Sequence, residues 1–248
     1  MYLNKFKIIV TSYNNERWLE PNLASILNQT YTNYEVVYID DHSSDNTFNG
    51  AINIVGKFDN WKIISHGVNR TKAYSFCTYL ADVGDDEIIV FIDGDDWLYD
   101  DNVLERLNNK YQEDMWLTYS KFITYPSATI GYPQGTPYDE YTHATNSYRK
   151  DLWRPSHLKT MKGFLWKQIS KDDFKYDGEW IKFADDLVMM FAALEMTPTE
   201  KIGFMDEISY VYNVSEENQI RTIEDATTTL NRTIELSIRN KKPYDKLK

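Results

Sequence analysis

Glu87-Ile88-Ile89-Val90-Phe91-Ile92-Asp93-Gly94-Asp95-Asp96 decides the fold. The apolar run reads as a strand over Glu87 to Ile92, buried on both faces, and it ends in three carboxylates at a turn. In open α/β sheets ligands bind beyond the carboxyl ends of the strands. Clustered carboxylates at such a place repel one another unless a cation sits among them. Hard oxygen ligands suit Mg²⁺ or Mn²⁺, ions that commonly hold phosphates. The stretch therefore points to a metal site that receives a diphosphate. An ordinary Asp/Gly surface turn is the competing reading.

Working outward, strands and helices alternate. Lys7 to Ser12 reads as a first strand. A helix follows over Glu16 to Asn28, with Trp18, Leu19, Leu23, Ile26 and Leu27 at helical spacing. Tyr34 to Ile39 is a second strand ending in Asp40-Asp41. Ser44-Asp45-Asn46-Thr47 caps a helix to about Lys57. Trp61 to Ile64 is a third strand, Asn69 to Ala81 a helix, and Asp100 to Tyr111 another. This order predicts an α/β fold with a mostly parallel, Rossmann-like sheet flanked by helices and right-handed crossovers. It puts Asp40-Asp41 and Asp95-Asp96 on one edge of the sheet.

The second half is less regular. Met115 to Tyr119 reads as a strand and Pro126 to Asn146 as a long loop. Phe164 to Ile169 and Phe183 to Glu195 read as helices, and Ile208 to Val214 as a late strand. Ile223 to Arg239 reads as a final amphipathic helix before the basic tail Arg239-Asn240-Lys241-Lys242. The expected organisation is 1–115 for the nucleotide-binding half, 116–222 for the second half, and 223–248 for the C-terminal helix and tail, in one compact domain.

The 248 residues are 42% hydrophobic, enough for a sizeable core. No apolar run approaches the ~20 residues that span a bilayer, and Met1 to Lys7 does not read as a signal peptide. The single cysteine, Cys77, allows no intrachain disulfide and reads as core. A cytoplasmic setting is expected, with peripheral membrane attachment through the basic C-terminal helix as a weaker option. A net charge of -11 disfavours nucleic-acid binding, which needs a basic footprint.

Four blocks now stand in order: Ile8-Ile9-Val10-Thr11-Ser12-Tyr13-Asn14-Asn15-Glu16, Ser25-Ile26-Leu27-Asn28-Gln29-Thr30-Tyr31, Tyr38-Ile39-Asp40-Asp41-His42-Ser43-Ser44-Asp45, and Asp93-Gly94-Asp95-Asp96. Together they resemble the family 2 glycosyltransferases with the nucleotide-diphospho-sugar-binding GT-A fold, over roughly the first 115 residues. Ala184-Asp185-Asp186-Leu187 stands where that family often has Glu-Asp, and Arg154 to Thr160 is similar to an acceptor-side segment in some members.

The resemblance implies an inverting transfer of a sugar from a nucleotide-diphospho-sugar, most often a UDP-sugar, to a hydroxyl acceptor such as a glycan. Thr11, Tyr13 and Asp41 would contact the nucleoside, with Asp41 accepting from the base. Asn69 and Lys72 would lie near base or diphosphate, and Asp93 would reach the ribose or the metal. Asp95, with Asp96 as the competing choice, would ligate Mn²⁺ or Mg²⁺. Asp186 would be the catalytic base with Asp185 beside it. Either acid also suits a helix N-terminus without any function.

On the acceptor side stand Trp153, Arg154 and His157. For His157 the alternatives are an acceptor contact or a plain surface position, since it lacks a partner at metal-ligand spacing. One of Trp153, Trp166 and Trp180 is a candidate sugar-stacking platform, with packing as the competing use. Some family members place a further metal-side histidine near the C-terminal end, but none follows His157 here. Asn213 either lines the site or ends a strand.

Two other activities compete. A sugar nucleotidyltransferase would carry a Gly-rich phosphate loop after the first strand, where this chain has Thr11 to Arg17 without glycine. A phage-type transferase acting on DNA bases is disfavoured by the charge.

Overall fold

The computed structural model describes residues 3–215 and 229–247. Ten strands and eight helices follow one another: β1 (Phe6–Ser12), α1 (Leu19–Leu27), β2 (Tyr34–Asp40), α2 (Thr47–Val55), β3 (Trp61–Ser65), α3 (Lys72–Tyr79), β4 (Ile88–Asp93), β5 (Trp97–Leu98), α4 (Val103–Tyr111), β6 (Leu117–Tyr125), α5 (Glu140–Thr145), β7 (Lys159–Lys162), α6 (Gly163–Lys167), β8 (Lys175–Tyr176), β9 (Glu179–Trp180), α7 (Asp185–Met196), β10 (Ile202–Asn213) and α8 (Thr229–Asn240) among the described residues. Short 3-10 turns connect several of them.

The main sheet has eight strands in the order β3-β2-β1-β4-β7-β6-β10-β5. β3, β2, β1 and β4 run parallel, as do β6 and β10. β7 is antiparallel to both β4 and β6, and β5 is antiparallel to β10. The strand order reverses at β1, which pairs on one side with β2 and on the other with β4. Such a reversal opens a crevice at the carboxyl ends of the strands.

The apolar runs are continuous because both faces are covered. Along β1, Phe6, Ile8 and Val10 pack with Leu19, Leu23 and Ile26 of α1. Ile9 points the other way, into the cluster that holds Phe76, Phe91 and most of α7. Successive strand residues face opposite sides. α7 is apolar all round and buried along nearly its whole length, as a helix inside the core must be.

The expected mostly parallel α/β architecture is present, with differences in detail. β7 falls in a stretch not assigned to any strand, and it bridges the two parallel groups. Pro126 to Asn146 contains α5, whose first turn is capped by Asp139 Oδ1 accepting from Thr142 N at 2.8 Å. β6 and β10 are longer than expected, and α3 starts at Lys72 because Asn69 to Thr71 form the loop before it. The start of the expected helix at Ile223, and the boundary at 222, lie outside the described residues. Among the described residues no helix is long and apolar enough to cross a membrane.

Cys77 lies in the core. Burial pushes its thiol up to about 12, so little thiolate exists at neutral pH. A thiol reagent such as DTNB is expected to leave native protein unlabelled and to label it fully in denaturant. Rapid labelling of folded protein would contradict this packing.

Candidate active site

The cleft opens at the reversal. Thr11, Ser12, Tyr13 and Asn15 follow β1, Asp41 follows β2, Asn69, Thr71, Lys72 and Ser75 surround the start of α3, and Asp93 and Asp95 end β4. Lys182 and Tyr212 complete the lining of a cavity of about 460 Å³. Tyr13 is 44% exposed at its mouth.

Gly94 is dictated by close approach: a Cβ there would stand 2.5 Å from Ser12 Oγ and 2.8 Å from Ser12 Cα. Its N–H donates to Thr11 O at 2.8 Å, tying the acidic turn to β1. Three other side chains fix that turn. Asn22 Nδ2 donates to the carbonyls of Asp93 and Asp96, at 3.0 and 2.7 Å. Tyr210 Oη accepts from Asp93 N at 3.0 Å. Asn213 Nδ2 donates to Asp95 O at 3.0 Å, while its N–H donates to Asp96 Oδ1 at 2.8 Å.

Asp95 is half-buried at the cleft, whereas Asp96 is fully buried behind it. Burial, with the carboxylates of Asp95 and Asp93, pushes the Asp96 carboxyl well above its usual range. Its Oδ2 is buried without a hydrogen-bond partner among the described residues. Asp93, Asp96 and His157 each bring one ligand atom to within 4.8 Å of the others. A surface position for His157 is therefore excluded. It is 5% exposed and stacks on Tyr210 and Tyr212, with ring centroids 4.7 Å away in both cases. Burial, reinforced by Lys159, holds its ring well below the usual imidazole value. The neutral ring is the form that binds metals.

Lys72 joins the two acidic groups. Its Nζ donates to Asp93 Oδ1 at 2.9 Å and lies 3.7 Å from Asp185 Oδ2. Burial opposes its charge, but Asp185, Asp93 and Asp186 hold its pKa well above the usual lysine value. Burial likewise opposes ionisation of Asp93, yet Lys72 and Lys159 keep that carboxyl far below its usual range. Asp185 is pushed up to about 6 by burial, with Lys72 opposing and Asp186 adding. Asp186 is half-buried, its Oδ1 accepting from Leu187 N at 2.9 Å.

Asp41 is engaged by protein. Its Oδ1 accepts from Arg70 N at 2.7 Å and faces His66 Nδ1 at 2.7 Å, and its Oδ2 accepts from Thr71 N at 2.9 Å. Asn69 Nδ2 donates to Asp41 O at 3.1 Å. The carboxylate thus shapes the loop that carries Asn69, Thr71 and Lys72.

None of the acceptor candidates lines the cleft; His157 is buried behind it. Trp153 packs against Phe191, with centroids 5.4 Å apart. Arg154 Nη1 donates to Thr136 Oγ1 at 2.9 Å, and its guanidinium covers Tyr138. Trp166 is core, and Trp180 meets Tyr74 edge-on. Sequence reasoning missed Asn22, Tyr210 and Lys182. Asn22 carried a signal, being a polar residue on the apolar stripe of Leu19, Leu23 and Ile26.

Three comparisons bear on this site. An uncharacterised glycosyltransferase of Haemophilus influenzae is 30% identical over 122 residues, 49% of this chain and 48% of that protein. The chain spans about half or less of the curated relatives it matches. Among solved structures, S. aureus TarS 1-349 in complex with UDP-GlcNAc superposes with a TM-score of 0.60 at 21% identity, covering 95% of this chain and 70% of that one. A mannosyltransferase from Pyrobaculum calidifontis, in complex with GDP-Man and Mn²⁺, gives 0.62 at 17% identity, covering 98% and 67%. At these identities the likeness speaks for the fold, and it is the GT-A fold expected from the sequence. The family model for glycosyl transferase family 2 matches residues 7–171, well over half of the chain, and the chain belongs to that family.

Proposed function

We propose that the protein is an inverting glycosyltransferase that moves a sugar from a nucleotide-diphospho-sugar to a hydroxyl acceptor, a glycan by preference. One observation carries the reading: Lys72 bridges Asp93, beside the acidic turn, and Asp185, beside Asp186, so both acidic groups meet at one cleft. Transfer needs such a pairing, a place for the diphosphate and a carboxylate across the anomeric carbon to take the acceptor's proton. The UDP-GlcNAc and GDP-Man held by the two structural relatives support a nucleoside diphosphate donor, with UDP-sugars first.

In this reading Thr11, Tyr13 and Asn69 embrace the nucleoside. Asp41 acts through the loop it holds, because its carboxylate already accepts from that loop. The donor set suits Mn²⁺ or Mg²⁺: hard carboxylate oxygens, a neutral imidazole, and a buried Asp96 oxygen lacking a hydrogen bond. Asp93 and Asp95 would hold the ion on the cleft side, with Asp96 and His157 closing the wall behind. A bound divalent cation would supply Lewis-acid neutralisation of the leaving diphosphate. Asp186 takes the acceptor's proton, and Asp185 keeps Lys72 in place. The transfer is a single in-line displacement with inversion: the acceptor oxygen bonds to the anomeric carbon as its bond to the diphosphate oxygen breaks and the nucleoside diphosphate leaves.

Thermal denaturation with UDP or GDP, with and without Mn²⁺, tests the donor site. A ligand at about 100 times its Kd stabilises by about 2.7 kcal/mol, or roughly 5 to 10 °C for a chain of this size. The shift is expected with Mn²⁺ only, and is expected to vanish in Asp95→Ala. No shift with either diphosphate would count against the reading.

A further inference from the structure

We propose that Lys182 binds the terminal phosphate of the donor's diphosphate and stabilises it as a leaving group, an inference that rests on the donor-site reading above. The cleft is lined by three carboxylates, Asp41, Asp93 and Asp95, and two cations, Lys72 and Lys182. The two cations are in different states. Lys72 is committed to Asp93 and Asp185. Lys182 has no hydrogen bond or ion pair among the described residues. Among the described residues this cavity-lining side chain is unpaired, and an anion from outside can take it as a partner.

Its place in the fold fits a phosphate. The segment 180–185 is pinned at both ends to the start of α3. Trp180 meets Tyr74 edge-on at 5.7 Å, and Asp185 lies 3.7 Å from Lys72. Lys182 stands between these anchors, where the segment before α7 forms part of the cavity wall. Ala184, in left-handed conformation with φ 64°, turns the chain from this wall into α7. One short segment thus carries the cation for the leaving group and the proposed base, and Lys72 ties it to the acidic turn. A diphosphate set against Asp93 and Asp95 needs positive charge on its other side, and an ammonium on a flexible four-carbon stem can supply it.

The experiment is calorimetric titration of wild type, Lys182→Ala and Lys182→Arg with UDP, GDP and the matching monophosphates, in Mn²⁺ at fixed ionic strength. Lys182 is exposed, so both variants are expected to melt as wild type does. For whichever diphosphate wild type binds, Lys182→Ala is expected to weaken affinity about 10- to 100-fold, the reach of one charge-assisted hydrogen bond. Binding of the monophosphate is expected to change less than about twofold. Lys182→Arg keeps the charge and is expected to retain most of the diphosphate affinity. Unchanged diphosphate binding in Lys182→Ala overturns the inference, and so does an equal loss for mono- and diphosphate, which would place the contact elsewhere. If wild type binds neither diphosphate, the donor-site reading itself falls and takes this inference with it.

Discussion

Asp186→Asn is expected to lower the transfer rate by about 10² to 10⁴-fold, the usual contribution of a general base. Donor affinity, read by the melting shift with diphosphate and Mn²⁺, should stay as in wild type. The side chain sits in the first turn of α7, where an acid is favoured by the helix dipole whatever its function. Asparagine separates the two roles. It keeps an oxygen that can accept from Leu187 N, and it is at home at a helix start. It cannot take a proton from a hydroxyl. A purely structural Asp186 would give a small melting change and full activity, and that result would sink the assignment. Asp185→Asn should behave differently. It removes a charge that faces Lys72, so it should disturb diphosphate binding as well as rate. A cleanly catalytic defect in Asp185→Asn, with Asp186→Asn fully active, would exchange their roles.

The sheet was legible wherever a strand is buried on both faces. β1, β2 and β4 announced themselves as apolar runs ending in polar or acidic residues, and the crevice followed from their order. β7 did not. It has four residues, and lysines at both ends hide a strand whose Lys159 is itself buried near Asp93. α5 escaped because a six-residue helix has no room for an apolar stripe, and its cap at Asp139 reads like any turn. The site divides the same way. Asp93, Asp95 and the pair Asp185-Asp186 stand out as motifs. His157 does not, because its meeting with Asp93 and Asp96 depends on the β4–β7 pairing, which no local pattern encodes. Asp41 was visible as a residue and was expected to accept from the base, but its protein partners were not visible: loop N–H groups some thirty positions away engage its carboxylate.

Arg149→Ala should cost about 3 to 5 kcal/mol of stability, the loss typical when one partner of a buried ion pair is removed. Its Nε and Nη2 donate to the two oxygens of Glu195 at 2.6 and 2.8 Å, and its Nη1 donates to Ile238 O in α8 at 2.6 Å. Both side chains are buried, and Glu195 Oε2 also accepts from Tyr244 N at 3.0 Å. One guanidinium thus joins α7, α8 and the segment after α8, and without it the Glu195 carboxylate is left buried beside a cavity. Burial already raises the Glu195 pKa even with Arg149 opposing. At roughly 2 to 4 °C per kcal/mol, the melting temperature should fall by about 6 to 20 °C. The double variant Arg149→Met with Glu195→Met removes both charges from the core and should recover much of the loss. Urea denaturation of the single and double variants measures the difference. A loss below about 1 kcal/mol in Arg149→Ala would mean that water reaches Glu195, and that α8 is held to α7 by Ile234, Ile238 and the Arg239 guanidinium over Phe191.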